Sequence, residues 1–339
     1  MRRGLSLAIP CRADEPSLVE TLESLLIACR YSAPQLPPIT ELLICMNGLV
    51  PDRECAALTA TRAFCRRHDI PLHEYWLADR ENSSEVGPAI DADLIATDSL
   101  PIPMCRVLLT ERRGKPLAWN VLWSQASGTS VLFCDADVRV DQEAVRLLQA
   151  RLAEAPHLSV VAAREVPVLN GRGTLWSRMA ALPYRFDFGN AGGRLFVICK
   201  DALPGTMPED LLLEDAWLTV AVGKTRVAKE WQAQVYFLPP ATGRDYFAER
   251  VRTEGGKLQI RRVHGHLLEQ GPIATYRWSD FLRKITWHEY PLVCFSLVLR
   301  VVARARARLA LTKKEFYALY RPFPTTKTWS RNPHESDEQ

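Results

Sequence analysis

Apolar and polar positions along the first part of the chain alternate between short apolar runs and amphipathic stretches. "LSLAIP", residues 5–10, is a short apolar run closed by proline, which predicts a buried strand. In "EPSLVETLESLLIAC", Leu18, Leu22, Leu25 and Leu26 recur at helical spacing, so a helix packed on a sheet is expected. "ITELLICMNG" reads as a second strand ending in an Asn-Gly turn, and "ECAALTATRAFCRRH" as a second helix. Strand-helix-strand-helix at this spacing predicts a parallel sheet with helices on its faces. The pattern dissolves over residues 77–103, where Gly87, Pro88, Pro101 and Pro103 predict a long loop. "CRVLLT" resumes as a strand, "RRGKPLAWNVLWSQASG" as a basic turn and helix, "TSVLFCDADVRVD" as a strand, and "QEAVRLLQARLAEAP" as a helix. Beyond Pro156 the order is less regular. Strands are expected in "LSVVAAREVPVL", in the second half of "GNAGGRLFVICKDAL" and in "WQAQVYFLPP". "PEDLLLEDAWLTVAVGK" reads as an acidic turn and helix, and "DYFAERVRTEGGKLQIRRVHGHLLEQ" as mostly helical and basic.

Bulk properties narrow the class. The chain has 339 residues, 47% of them apolar and 24% charged, which suits a soluble globular protein of one large or two medium domains. A net charge of +4 argues against a protein that coats nucleic acid, although Arg and Lys concentrate in residues 300–314. The nine cysteines form no C-x-x-C pair and lie in apolar stretches, as buried thiols of a reducing cytoplasm do. The apolar part of "MRRGLSLAIP" is too short for an export signal, so no export is expected, and "RNPHESDEQ" reads as a disordered tail.

Candidate chemistry begins at Asp135-Ala136-Asp137, at the carboxyl end of a central strand, the edge where open α/β sheets bind ligands. Positions i and i+2 of a strand share a face, and two acids there can converge on Mg²⁺ or Mn²⁺. The plainer alternative is a solvated strand end. Asp91 and Asp93 repeat the pattern without a preceding strand and read as solvated loop. Lys115 follows a glycine at a helix start beside Arg112 and Arg113, which makes either an anion site or merely a basic loop. Glu214 and Asp215 open a helix, where a carboxylate could act as general base or simply complement the helix dipole. Gln259, Arg261, Arg262, His264 and His266 gather donors that could clamp a diphosphate.

The segments "AIPCRADEPSLVETLESLL", "RRGKPLAWNVLWSQASG", "VLFCDADVRVDQEAV", "LLLEDAWL" and "LQIRRV", in this order over roughly residues 5–269, resemble family 2 glycosyltransferases of the GT-A fold. The resemblance implies an α/β architecture: a Rossmann-like, mostly parallel sheet flanked by helices. Residues 1–270 would form the catalytic domain, 271–325 a helical extension and 326–339 the tail. It implies that Pro10, Arg12 and Glu15 lie by the nucleotide, and that Asp135 and Asp137 are the D-x-D acids holding Mn²⁺ or Mg²⁺ and, through it, the diphosphate. Asp215 would be the catalytic base of an inverting displacement, Lys115 would assist the leaving group, and Gln259 and Arg262 would match the family's Q-x-x-R-W element. Two departures stand out. Asn47 replaces an aspartate that often holds the nucleotide base, and Val263 replaces the tryptophan of Q-x-x-R-W, which argues against processive polysaccharide synthesis. The implied partners are a nucleotide-sugar donor, with UDP favoured, and a glycan, lipid or small-molecule acceptor, with no nucleic acid. A phosphatase of the haloacid dehalogenase type would need Thr or Val where Arg139 stands, and a dinucleotide-dependent dehydrogenase would need a glycine-rich turn where "PCRADE" stands. A non-catalytic sugar-nucleotide sensor or scaffold remains the alternative.

"WHEYPLVCFSLVLRVVARARARLALTKKEF" stands apart. Its uncharged run, residues 291–299, is far short of the ~20 residues that cross a bilayer. On a helix, Arg300, Arg304 and Arg308 share one face, with Leu297, Val301 and Val302 displaced from it and Trp278, Trp287 and Tyr290 upstream. Two readings fit: a peripheral helix at the inner face of a membrane, reaching a lipid-linked acceptor, or a helix packed on the catalytic domain with its arginines in water.

Overall fold

The computed structural model describes residues 4–50, 54–77, 101–169, 171, 173–186, 191–203, 205–266 and 283–312. Its elements run β1 (Leu5–Arg12), α1 (Leu18–Arg30), β2 (Ile39–Asn47), α2 (Ala56–Arg67), β3 (Leu72–Trp76), β4 (Cys105–Thr110), α3 (Lys115–Gln125), β5 (Ser130–Cys134), β6 (Val138–Val140) and α4 (Ala144–Glu154). They continue with β7 (Val160–Pro167), α5 (Leu175–Ala181), β8 (Leu195–Cys199), α6 (Glu214–Val222), β9 (Val227–Phe237), α7 (Gly243–Val263) and α8 (Tyr290–Thr312). The strands form one sheet in the order β3-β4-β2-β1-β5-β8-β7-β9-β6. From β3 to β5 all neighbours are parallel. Past β5 the sheet is mixed, with β5–β8, β8–β7 and β9–β6 antiparallel and β7–β9 parallel.

Both faces of the sheet are covered, which is why its central strands read as continuous apolar runs rather than alternating ones. Leu7 and Ile9 of β1, Leu42 and Ile44 of β2 and Leu132 of β5 join one core cluster with α1, α2 and α4. Their neighbours Ala8, Leu43, Val131 and Phe133 join the other, with α3 and α6. In the second layer Trp119 stacks on Phe133 with ring centroids 4.5 Å apart, and Phe133 on Phe196 at 5.5 Å.

Three sequence expectations change. β5 ends at Cys134, so Asp135 and Asp137 stand in a turn before β6 rather than on one strand face. The alternation argument therefore does not apply to them. β3 was absent from the apolar pattern because it is an edge strand whose side chains are half-buried or exposed. Residues 175–181, assigned no element from the apolar pattern, form α5, a helix capped by the Thr174 hydroxyl, which accepts from the Ser177 amide at 3.1 Å. Asp91 and Asp93, most of the 77–103 loop, Trp278 and the tail lie outside the described residues.

One buried ion pair ties the sheet to the end of α3. Arg106 of β4 meets Glu41 of β2 at 2.8 Å, and its guanidinium also donates to the Gln125 carbonyl at 2.6 Å. Glu41 accepts further from the Ser6 hydroxyl at 2.8 Å and the Ser127 amide at 2.7 Å. Removing only the cation leaves Glu41 buried and uncompensated. Arg106→Met is expected to cost about 3–5 kcal/mol in urea unfolding, and adding Glu41→Leu should recover part of that loss.

Candidate active site

The carboxyl ends of β1, β2 and β5 open into a cavity of about 760 Å³, in the range of small-molecule sites. Its wall brings together Pro10, Arg12 and Glu15 from the end of β1, Asn47 and Gly48 from β2, Arg113 and Lys115 from the basic turn, and Asp135 and Asp137. These are most of the residues singled out in the sequence. Glu15 is buried and accepts from the Ser17 amide at 3.3 Å, at the mouth of α1. Arg12 pairs with Asp14 at 2.6 Å on the exposed rim.

Asn47 does more than line this wall. Its Nδ2 donates to the Cys11 carbonyl at 2.8 Å, and its Oδ1 accepts from the Gly114 amide at 3.4 Å. One side chain thus ties the end of β1 to the turn that launches α3. Gly114 caps that helix at φ +142°, a conformation open to glycine, and Pro116 follows in the first turn. Gly48, at φ +75°, lets the Arg113 side chain lie against the backbone: a Cβ there would stand 3.0 Å from Arg113 Cγ.

Charge in the cavity centres on Lys115. Its ammonium lies 2.7 Å from Asp135 Oδ1 and 2.7 Å from Glu214 Oε1, and 3.5 Å from the Gly193 carbonyl. Burial pushes the Asp135 carboxyl up to about 6. Lys115 opposes the rise and Asp137 adds to it. Burial also favours neutral Glu214, but Lys115 and Arg252 outweigh it and hold that carboxyl below the ordinary range. Asp215 shifts the other way, raised by burial and by the charges of Glu214 and Glu165. The two aspartates fit a hard divalent cation. Mg²⁺ and Mn²⁺ accept one or two carboxylates and complete their shells with water and phosphate oxygens. No group of three or more His, Cys, Asp or Glu side chains suited to a metal occurs among the described residues, so most of the coordination would come from ligand and water.

Other sequence-selected residues stand elsewhere. Asp215 is half-buried at the start of α6 with Oδ1 accepting from the Ala216 amide at 2.8 Å, and it is not part of the cavity wall. Gln259, expected at the donor, is buried. Its Nε2 donates to the Asp210 carbonyl at 2.8 Å and its Oε1 accepts from the Leu212 amide at 3.0 Å. It holds the strip leading to Glu214 and Asp215 and is not part of the cavity wall. Arg262, in the last turn of α7 where residues 261–263 are all exposed, is not part of the cavity wall. Arg112 also turns away, into a pair with Glu209.

The cations that line the wall and were not singled out are Arg194, at the start of β8, and Arg252, on α7. Arg194 is fixed by Glu165 at 3.3 Å and by the Phe237 ring, 3.6 Å from its guanidinium, while its carbonyl accepts from the Asp135 amide at 2.8 Å. A lone arginine closing the glycine-rich "GNAGGR" was the one local signal for it.

The Asn47 clamp predicts the effect of restoring an acid there. Asn47→Asp loses the donor to the Cys11 carbonyl and sets a carboxylate against it, so stability measured by chemical denaturation should fall by roughly 1–3 kcal/mol.

Comparison with known proteins finds a family resemblance over part of the chain and a shared fold. Residues 89–202 match the family described as glycosyl transferase family 2, a stretch that includes the basic turn, the paired aspartates and β8. No curated protein matches at a significant level. Among solved structures, the mannosyltransferase PcManGT of Pyrobaculum calidifontis, in complex with GDP-Man and Mn²⁺, is 18% identical over 96% of this chain and 83% of its own, with a TM-score of 0.52. TarS residues 1–349 of S. aureus, in complex with UDP-GlcNAc, are 18% identical over 93% of this chain and 86% of that one, at a TM-score of 0.43. Glucosyl-3-phosphoglycerate synthase of Mycobacterium tuberculosis, with Mn²⁺, UDP and product, is 14% identical over 79% and 80%, at 0.43. At such identity the first of these likenesses speaks to the fold, which is GT-A. The matched segment, about a third of the chain, is thus similar to glycosyl transferase family 2 and lies within a GT-A fold.

Proposed function

We propose that the cavity holds the diphosphate of a nucleotide sugar and that the sugar passes, with inversion, to an acceptor hydroxyl. The observation that carries this reading is the opposition, in one cavity, of the Asp135–Asp137 pair and the cations Arg113, Lys115, Arg194 and Arg252. A sugar diphosphate brings a divalent ion for the acids and phosphate oxygens for the cations. Binding it leaves neither set of charges uncompensated.

In the proposed step the acceptor oxygen attacks the anomeric carbon from the face opposite the diphosphate. The new carbon–oxygen bond forms as the bond to the phosphate oxygen breaks, and the hydroxyl proton passes to Asp215. The pK shift of Asp215 supports its role, because a base nearer to working pH is the more effective one. Gly193 supports it as well. A Cβ at that position would stand 3.4 Å from Asp215 Cβ, so glycine keeps that flank of the carboxylate clear. Lys115 and Arg252 balance the charge developing on the leaving diphosphate. A divalent ion at Asp135 and Asp137, when bound, supplies further neutralisation of that charge. Gln259 contributes by holding the Asp210–Leu212 backbone from which α6 starts.

For the donor nucleotide we favour UDP, the sequence-level expectation. The mannosyltransferase with this fold was solved with GDP-Man, which places GDP-sugars in the same test. A melting-temperature screen of UDP-, GDP- and dTDP-sugars with Mn²⁺ should show one donor class raising the midpoint, and chelation should abolish the rise. A flat response across the panel would sink the donor assignment. Asp215→Asn should lower turnover by about 10²–10⁴-fold while leaving donor binding nearly unchanged. Since the base must be ionised and its pK is raised, wild-type kcat should fall on acidification along a limb set above the ordinary aspartate value of about 3.9.

A further inference from the structure

The two faces of α8 differ in what they meet. Val293, Ala303 and Ala307 turn inward: Ala303 and Ala307 are fully buried with Val251 of α7. Arg300, grouped in the sequence with Arg304 and Arg308, also turns to α7, where its Nε lies 2.9 Å from Glu254. Ser296 meets the Tyr246 hydroxyl at 3.0 Å. These positions recur every three or four residues and use up the helix's inward stripe.

What remains outward is apolar. Val298 is 60% exposed, Val301 69% and Val302 50%, with Phe295 at 41%. Trp287, just before the helix, is 82% exposed. Arg306 and Arg308 are exposed on either side of this stripe. At 100° per residue they stand on opposite flanks of Val298. No acidic residue occurs anywhere in α8. An apolar strip this long is costly to leave in water, and a cation-only border suits an anionic partner. No described helix is long and apolar enough to cross a membrane.

We propose that the outward face of α8 lies in the headgroup region of an anionic lipid bilayer, with Val298, Val301 and Val302 in the acyl boundary, Arg306 and Arg308 at lipid phosphates, and Trp287 at the interface. The inference goes beyond the transferase reading and does not depend on it. It has a geometric consequence for that reading all the same. α7 turns Val251 and Glu254 to α8 and Glu249 and Arg252 to the cavity, so the bilayer lies one helix away from the donor site.

Cys294 sits on this outward face and is the exposed one of the nine cysteines, the rest being buried or half-buried. The full chain, labelled there with an environment-sensitive fluorophore, should show a blue-shifted emission with vesicles of phosphatidylcholine and phosphatidylglycerol, and little change with phosphatidylcholine alone. Co-sedimentation of unlabelled protein with the anionic vesicles should weaken as salt rises. Val298→Asp should reduce that binding about tenfold or more with an unaltered melting temperature, because the side chain touches no core. Arg306→Gln should reduce it about fivefold. Absence of wild-type protein from the anionic vesicle pellet would overturn the proposal. So would a dimer in sedimentation velocity that Val298→Asp dissolves, which would assign the face to a second copy of the chain.

Discussion

The Lys115 ammonium holds Asp135 on one side and Glu214 on the other, and much of the site depends on that placement. The first acid stands in the turn after a central strand, the second opens a helix that arrives almost eighty residues later. A single cation between them sets the distance from the paired aspartates to the start of α6. It also holds the Glu214 carboxyl below its ordinary range, and the Glu214 charge adds to burial in raising its neighbour Asp215. The lysine can stand there because Gly114 allows the sharp entry into α3 and Asn47 ties that entry to β1. Backbone conformation, one amide clamp and one ion pair thus convert three sheet ends into a single pocket.

Much of the fold was legible because buried strands and amphipathic helices write themselves as periodicities. The parallel half, from β1 through β5, follows from apolar runs separated by helices with Leu at helical spacing. What escaped has a physical reason in each case. β3 is an edge strand with no buried face to record. β6 was read as the continuation of β5, because a short turn between two apolar stretches leaves no glycine or proline mark. The mixed order of β7, β8 and β9 depends on long-range pairing that local pattern does not encode.

The site divides in the same way. Arg12 and Asn47 entered only through the family resemblance, whereas Lys115 and Asp135, at a helix start and beyond a strand end, could be placed from their elements. Gln259 and Arg262 could not, since their roles turn on the rotation of α7. In the folded chain the glutamine faces the loop before α6 and the arginine faces water, while Arg252 and Arg194 line the cavity. Arg194 immediately precedes a strand that pairs antiparallel with β5, so its position beside Asp135 is a product of topology and is invisible along the sequence.

The length of α7 gives that helix a role as a gauge. Its 21 residues extend about 31 Å without an interrupting proline. Arg252 near its middle lines the cavity, and Gln259, two turns on, grips the strip that leads to Glu214 and Asp215. The separation between the two is therefore dictated by helical rise rather than by loop conformation. Inserting one residue between them would swing the glutamine through about 100° and release the strip, although every ligand-facing side chain would still be present. A rigid spacer of this kind keeps the cavity wall and the start of α6 at one separation, whatever conformation the surrounding loops take.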